Sequence, residues 1–124
     1  ATFGANPVGQ KEREGDERTP EGVYHISSKV ESDRFYRFLG VSYPNAEDLA
    51  RTRKLGIDKP GGGIGIHGTK PKLAALARAW IRLSSVTGLG QVWGPTDGCI
   101  GLSNDDVAKL YSIVLVGTKV SIVP

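Results

Sequence analysis

Two residues of this chain form a recognisable chemical pair, a cysteine and a histidine that is followed by glycine. Cys99 is the only cysteine among the 124 residues, and His67 ends a short apolar run before Gly68. An imidazole that pairs with a thiol stabilises the thiolate, which is the nucleophilic form of cysteine. The sequence therefore indicates a Cys/His site for nucleophilic catalysis, and we interpret the protein as an enzyme.

The residues around Cys99 suit a reaction that develops negative charge on an oxygen. Asp97-Gly98 predicts a tight turn whose backbone amides converge beside the sulfur, and an oxyanion needs such preset donors. Ser103 and Asn104 predict the start of a helix just downstream. A lone cysteine is otherwise a small buried hydrophobe, and the residue types alone leave both interpretations open.

Two other features compete with this assignment. His25 lies inside a predicted strand, where a structural role is the simpler interpretation. Gly63–Gly68 has the spacing of a dinucleotide-binding loop, but such a loop should follow a strand. Here it follows Asp58-Lys59-Pro60, which does not predict a strand. We therefore place the chemistry at Cys99 and His67.

The elements that must position this pair are short strands joined by turns. Glycine makes up 17 of 124 residues, about twice its ordinary usage. Branched and alternating apolar residues predict strands over 23–27, 35–43, 64–66 and 120–122. Helical spacing and capping residues predict helices after Asn45, over about 71–84, and after Ser103. We predict one domain, 1–124, with a mixed α+β, β-rich fold.

Composition excludes several classes of function. Sixteen basic and thirteen acidic residues give a formal net charge of +3, and without a basic stripe we expect no nucleic-acid binding. Two histidines and one cysteine, far apart in sequence, form no recognisable set of metal ligands. No apolar run is long enough for a membrane span. A single cysteine allows no intramolecular disulfide, so the redox compartment stays open.

The two motifs resemble the signature of the YkuD-type L,D-transpeptidase catalytic domain, a His-Gly pair followed by Ser/Thr-x-Gly-Cys-hydrophobic. Ile66-His67-Gly68 and Thr96–Ile100 fit that signature. The resemblance covers nearly the whole chain, in the family's order, through Asn6–Gly9, Lys11, Glu14–Asp16, Arg18–Gly22, Ser42–Asn45, Pro60–Gly62 and Gly117–Val120. It implies an L,D-transpeptidase-like β-sandwich with short helices. The mixed-charge stretch Lys11–Arg18, which charge alone would make a solvated loop, is then expected to be structured.

The resemblance implies acyl transfer without a metal or organic cofactor. Cys99 attacks the amide between the third residue of a peptidoglycan stem tetrapeptide and its terminal D-alanine. His67 holds the thiolate and protonates the leaving amine, and the backbone carbonyl of Gly68 orients the imidazole. An amine of a neighbouring stem then takes the acyl group, which gives a 3→3 crosslink, and attack by water gives carboxypeptidase action instead.

The resemblance also assigns the residues that surround the nucleophile. The amides of Gly98 and Cys99 form the oxyanion hole, and Thr96, Asp97 and Tyr43 contribute to the turn and to substrate binding. Asp97 stands where the family often has histidine. Either the charge of Asp97 raises the pKa of the thiol, or its side chain points away from the sulfur and fixes the turn.

Two departures from the family concern segments of the chain. An insertion over about 70–94 separates the two motifs and is either an inert packed helix or a lid that narrows substrate entry. Before Asn6, where the family has a pair of strands, we expect that hairpin to be missing. An exposed sheet edge would then allow a homodimer, or pairing with a strand from elsewhere.

Three functional hypotheses follow. The first is a cysteine transpeptidase of the cell wall, located outside the cytoplasm in the periplasm or wall, or secreted. The second is an L,D-carboxypeptidase or other hydrolase of stem peptides, including a secreted antibacterial effector. The third is a non-catalytic wall-binding module with a packed cysteine. Carbapenem-type inhibitors are expected to acylate Cys99 in the first two cases only.

Overall fold

The computed structural model describes residues 1–69 and 97–124, and these form a five-stranded sheet and two helices. The strands are β1 (Gly22–Ser32), β2 (Tyr36–Val41), β3 (Gly65–His67), β4 (Ile100–Gly101) and β5 (Lys119–Ile122). The helices are α1 (Ala46–Lys54) and α2 (Asn104–Ile113). The predicted β-rich α+β fold is confirmed. The helix predicted over 71–84, the 70–94 insertion and Thr96 lie outside the described residues.

Strand order in the sheet is β4-β3-β2-β1-β5, and β1 connects its two halves. The first residues of β1 pair with β5, and those from Ile26 to Ser32 pair with β2, with a register shift between Ile26 and Ser28. These ladders and the β2–β3 ladder are antiparallel, whereas β3 and β4 are parallel. The parallel pair brings the histidine motif beside the cysteine motif.

Side-chain caps fix the start of each described helix. The Asn45 side chain accepts the Asp48 amide at 2.9 Å, and the Asp48 carboxylate accepts the Asn45 amide at 3.1 Å. Ser103 Oγ likewise accepts the Asp106 amide at 3.1 Å. Such caps satisfy amides that have no partner within the helix. Both predicted helix starts are confirmed.

The core lies between α2 and the face of the sheet that carries Leu39. Leu39 and Val107 are completely buried, and Ile26 is nearly so. Full burial of such a side chain contributes about 1.5–3 kcal/mol. The core cluster comprises Tyr24, Ile26, Leu39, Val41, Tyr43, Ile64, Ile66 and Ile122. The opposite face of β2 and β3 is therefore left for other contacts.

The N-terminal segment pairs with the outer edge of β4. Thr2 and Gly101 exchange two backbone hydrogen bonds of 2.8 Å. Further along, the amide of Asn6 donates to the carbonyl of Glu17 at 3.0 Å. The edge beside the cysteine motif is thus partly covered by the chain itself, and dimerisation through an open edge stays a prediction.

The charged stretch Lys11–Arg18, here called the charged loop, is built around one carboxylate. Asp16 accepts hydrogen bonds from Lys11 Nζ at 2.7 Å and from the amides of Glu12, Arg13 and Arg18 at 2.8–3.1 Å. Burial raises the pKa of Asp16, but these hydrogen bonds outweigh it and bring the pKa to about 2. The loop is structured, as the resemblance implied.

Replacing Asp16 by Asn should destabilise the protein in a pH-dependent way. The carboxyl pKa falls from 3.8 to about 2 on folding, so its stabilisation is present above about pH 4 and disappears as the pH approaches 2. We expect a loss of about 1–2 kcal/mol at pH 6 and almost none near pH 2. Urea unfolding at both pH values measures it. Asp33→Asn, at an exposed site, is the control, and an equal loss at both pH values would contradict the prediction.

Candidate active site

Parallel pairing of β3 and β4 brings the segment that carries His67 beside the segment that follows Cys99. His67 is paired with Gly101 in the register, and Cys99 lies two positions before Gly101 along the chain. Cys99 itself directly precedes β4, which begins at Ile100. The two motifs are therefore neighbours across the β3–β4 pair.

The chain that follows His67 is held by the chain that follows the cysteine. The amide of Leu102 donates to the carbonyl of His67 at 2.8 Å. The Asn104 side chain accepts the amide of Thr69 at 2.8 Å and donates to its carbonyl at 2.9 Å. A Cβ on Gly68 would collide with the Asn104 side chain. The sequence indicated only that Asn104 starts a helix. The one signal for its contact with Thr69 was its position just after the Ser103 cap.

The imidazole of His67 is oriented by one hydrogen bond and two aromatic rings. Nδ1 donates to the carbonyl of Gly68 at 2.7 Å, which leaves Nε2 as the nitrogen for proton transfer. The Phe35 ring lies 4.5 Å away between centroids, and the Phe38 ring stacks at 6.2 Å with an interplanar angle of 12°. Neither ring was predicted from the sequence to lie at the site. Phe38 pairs with His67 in the β2–β3 register, which the sequence does not reveal.

The sulfur of Cys99 is half-buried and donates a hydrogen bond to the carbonyl of Gly63 at 3.5 Å. Burial raises the pKa of the thiol, and the charge of Asp97 raises it further. A hydrogen bond from the Gly65 backbone and the charge of Lys11 lower it, but the net shift is upward. The net shift is therefore opposite in direction to the thiolate stabilisation that pairing with an imidazole implies, because burial dominates. A protonated resting thiol requires a base.

The turn before Cys99 accepts only glycine at position 98. Gly98 has φ = +123°, a conformation that L side chains rarely adopt. A Cβ there would lie 2.5 Å from the carbonyl oxygen of Arg18 and 3.2 Å from Ile64 Cδ1. The turn thus packs against the end of the charged loop. The Gly98 and Cys99 amides predicted for the oxyanion hole lie in this tightly packed segment.

Tyr43 supports a neighbouring loop. The residue is 5% exposed, and its hydroxyl donates to the carbonyl of Pro60 at 2.9 Å. Burial raises the pKa of this phenol to about 12, so it stays protonated and can donate. Pro60 lies in the segment Lys59–Gly63, here called the glycine loop, whose last carbonyl contacts the Cys99 sulfur. Tyr43 thus supports the glycine loop, and its contribution to the cysteine turn and to substrate binding stays a prediction.

No metal or membrane site is found in the part of the chain that the structure describes. Over 1–69 and 97–124, no three His, Cys, Asp or Glu side chains are grouped closely enough to hold a metal ion. Neither described helix has the length and apolar character needed to cross a bilayer.

Replacing Asp97 by Asn should make Cys99 more reactive at neutral pH. The Asp97 side chain is exposed, and its charge raises the thiol pKa, so its removal increases the thiolate fraction. We expect alkylation by iodoacetamide at pH 7 to be about twofold faster at low ionic strength, and the gain to shrink at 1 M salt. Asp33→Asn, with the same change in net charge, is the control. An unchanged or slower reaction would refute the prediction.

Comparisons with known proteins identify a family for this chain. Residues 3–122 match the model of the YkuD family, the L,D-transpeptidase catalytic domain. Putative L,D-transpeptidase YqjB of Bacillus subtilis (strain 168) is 33% identical over 110 residues, which cover 86% of this chain and 53% of that protein. The chain thus spans about half the length of this curated relative.

Solved structures give the same fold. The helical cell shape determining protein Pgp2 from Campylobacter jejuni superposes with a TM-score of 0.67 at 26% identity, over 97% of this chain and 35% of Pgp2. Bd1075 of Bdellovibrio bacteriovorus shares the fold, with a TM-score of 0.58 at 20% identity over 92% of this chain and 36% of Bd1075. With the family match over nearly its whole length, the chain belongs to the YkuD family of L,D-transpeptidase catalytic domains.

Proposed function

We propose that this domain is a cysteine-dependent peptidoglycan L,D-transpeptidase that forms an acyl-enzyme on Cys99. The observation that carries the proposal is the β3–β4 register, which brings His67 beside the residues that directly follow Cys99. The hydrogen bond from His67 Nδ1 to the carbonyl of Gly68 supports it, because it leaves Nε2 for proton transfer. Family membership supplies the class of reaction.

Acylation begins with a protonated thiol, because the thiol pKa is raised. His67 Nε2 takes the thiol proton as the sulfur attacks the carbonyl carbon of the third stem residue. The C–S bond forms, the bond to the D-alanine nitrogen breaks, and the imidazolium returns the proton to that nitrogen. D-Alanine leaves as the free amino acid, and the stem tripeptide remains as a thioester.

Backbone amides beside the nucleophile stabilise the tetrahedral intermediate. We assign this to the amides of Gly98 and Cys99. The Gly98 backbone is held in its unusual conformation by contact with Arg18. Fixed donors cost no reorganisation during the reaction, and loss of one typically lowers kcat by about 10²–10³-fold.

The acyl group then passes to an amine of a neighbouring stem and gives a 3→3 crosslink. The proposal includes action outside the cytoplasm, in the periplasm or cell wall, with residues 1–124 acting as one catalytic domain. Pgp2 determines cell shape in its organism. We infer a comparable contribution of this chain to wall architecture.

Purified disaccharide-tetrapeptide tests the reaction directly. We expect release of D-alanine and formation of crosslinked dimers, measured by chromatography and mass spectrometry. Cys99→Ala should abolish both, and His67→Gln should lower the rate by about 10²-fold or more. His25→Gln is the matched control, because His25 is exposed on β1 and its Nδ1 contacts Ser42 Oγ at 3.2 Å.

The products distinguish the functional hypotheses. Tripeptide without dimers would replace transpeptidation by carboxypeptidase action at the same Cys99. A carbapenem adduct on Cys99, detected as an intact-mass increase that Cys99→Ala removes, demonstrates a reactive thiol independently of the natural substrate. A folded protein that yields neither product nor adduct would overturn the proposal in favour of a non-catalytic wall-binding module.

A further inference from the structure

The charged loop packs against the glycine loop that carries the hydrogen-bond partner of Cys99. The amide of Glu14 donates to the carbonyl of Lys59 at 2.9 Å. At Gly61, where φ is +88°, a Cβ would lie 3.3 Å from both Glu14 Cα and Lys11 Cε. The Lys11 stem therefore contacts the glycine loop directly, two residues before the Gly63 carbonyl that receives the Cys99 thiol.

Lys11 is an unusual residue to find in such a place. It is 2% exposed, and its ammonium donates to the Asp16 carboxylate at 2.7 Å and to the carbonyl of Arg13 at 3.2 Å. Its backbone carbonyl accepts Arg51 Nη2 at 3.3 Å. A buried ion pair is often no more stabilising than a well-packed apolar pair of similar volume. Stability alone therefore does not account for an ammonium at this position.

The same loop supports Cys99 from its other side. The carbonyl of Arg18 lies against Gly98, the residue directly before the nucleophile. Asp16 holds the amide of Arg18 at 3.1 Å as well as the Lys11 ammonium. One carboxylate thus anchors both the segment that touches the glycine loop and the segment that touches the cysteine turn.

We propose that Lys11, held by Asp16, is a positioning residue for Cys99: its ammonium favours the thiolate, and its stem fixes the glycine loop that orients the thiol. This inference rests on the proposed function, in which Cys99 is the nucleophile. The electrostatics agree with the geometry, because the charge of Lys11 lowers the pKa of the Cys99 thiol and partly opposes burial.

The pH dependence of Cys99 alkylation by iodoacetamide tests this inference. Lys11→Met keeps an unbranched stem and removes the charge, whereas Lys11→Arg keeps the charge. We expect Lys11→Met to react about threefold or more slowly at pH 7 and to reach the wild-type rate at high pH, where the thiol is fully ionised. Lys11→Arg should restore most of the rate at pH 7. Lys54→Met, an exposed site at the end of α1 with the same change in net charge, is the control.

Two results would overturn the inference. One is a folded Lys11→Met with the wild-type pH profile. The other is a change confined to the alkylation rate at high pH. Altered access to the sulfur changes that limiting rate but does not move the midpoint of the pH profile. If Lys11→Met does not fold, Lys11→Gln replaces it, because its amide can still donate to Asp16 but carries no charge. That variant should also react more slowly at pH 7 and reach the wild-type rate at high pH, and a wild-type pH profile would refute the electrostatic role.

Alkylation requires no peptidoglycan substrate, so this experiment separates the two proposals. A pH profile that depends on Lys11 in a protein without tetrapeptide turnover would refute the proposed reaction and leave the positioning role intact. Turnover of tetrapeptide, together with a pH profile of alkylation that is the same in Lys11→Met and wild type, would refute only the positioning role.

Discussion

The pairing of β3 with β4 is the constraint on which the site depends. Among the described strands this is the parallel ladder. It brings His67 beside β4, the two residues that directly follow Cys99. Parallel neighbours cannot be joined by a tight hairpin and need a crossover of a dozen or more residues. Part of the long interval between the two motifs is therefore a requirement of topology. A lid or a partner surface would be an addition to that requirement.

Close packing around the cysteine turn has an electrostatic consequence. Gly98 lies so near the charged loop that no side chain fits there. The neighbouring Cys99 sulfur is half-buried, and this burial raises the pKa of the thiol. In the proposed mechanism a base removes the thiol proton during attack, and the hydrogen bond to the Gly68 carbonyl orients the His67 ring for that step.

Local signals in the sequence predicted both described helices and four of the five described strands, and they singled out the proposed pair Cys99 and His67. The two-residue β4 was not predicted, and β1 continues past the predicted 23–27 to Ser32. The Asn45 and Ser103 caps depend on neighbours within three residues, and the motif around Cys99 is a matter of residue types. Contacts that depend on register or on tertiary packing could not be predicted. The Asn104 clamp on Thr69 and the Phe38 ring beside His67 join segments far apart in sequence.

The charged loop shows why charge patterning alone misleads. Mixed charges usually mark a solvated segment. Here the Asp16 carboxylate accepts hydrogen bonds from three amides and from the Lys11 ammonium, which makes burial of Lys11 feasible. Because the pKa of Asp16 is about 2, this carboxylate stays ionised throughout the range in which a thiol titrates. Its support of Lys11 is therefore constant across that range. A pH dependence of Cys99 reactivity then reports ionisation at the site itself and does not reflect melting of the loop behind it.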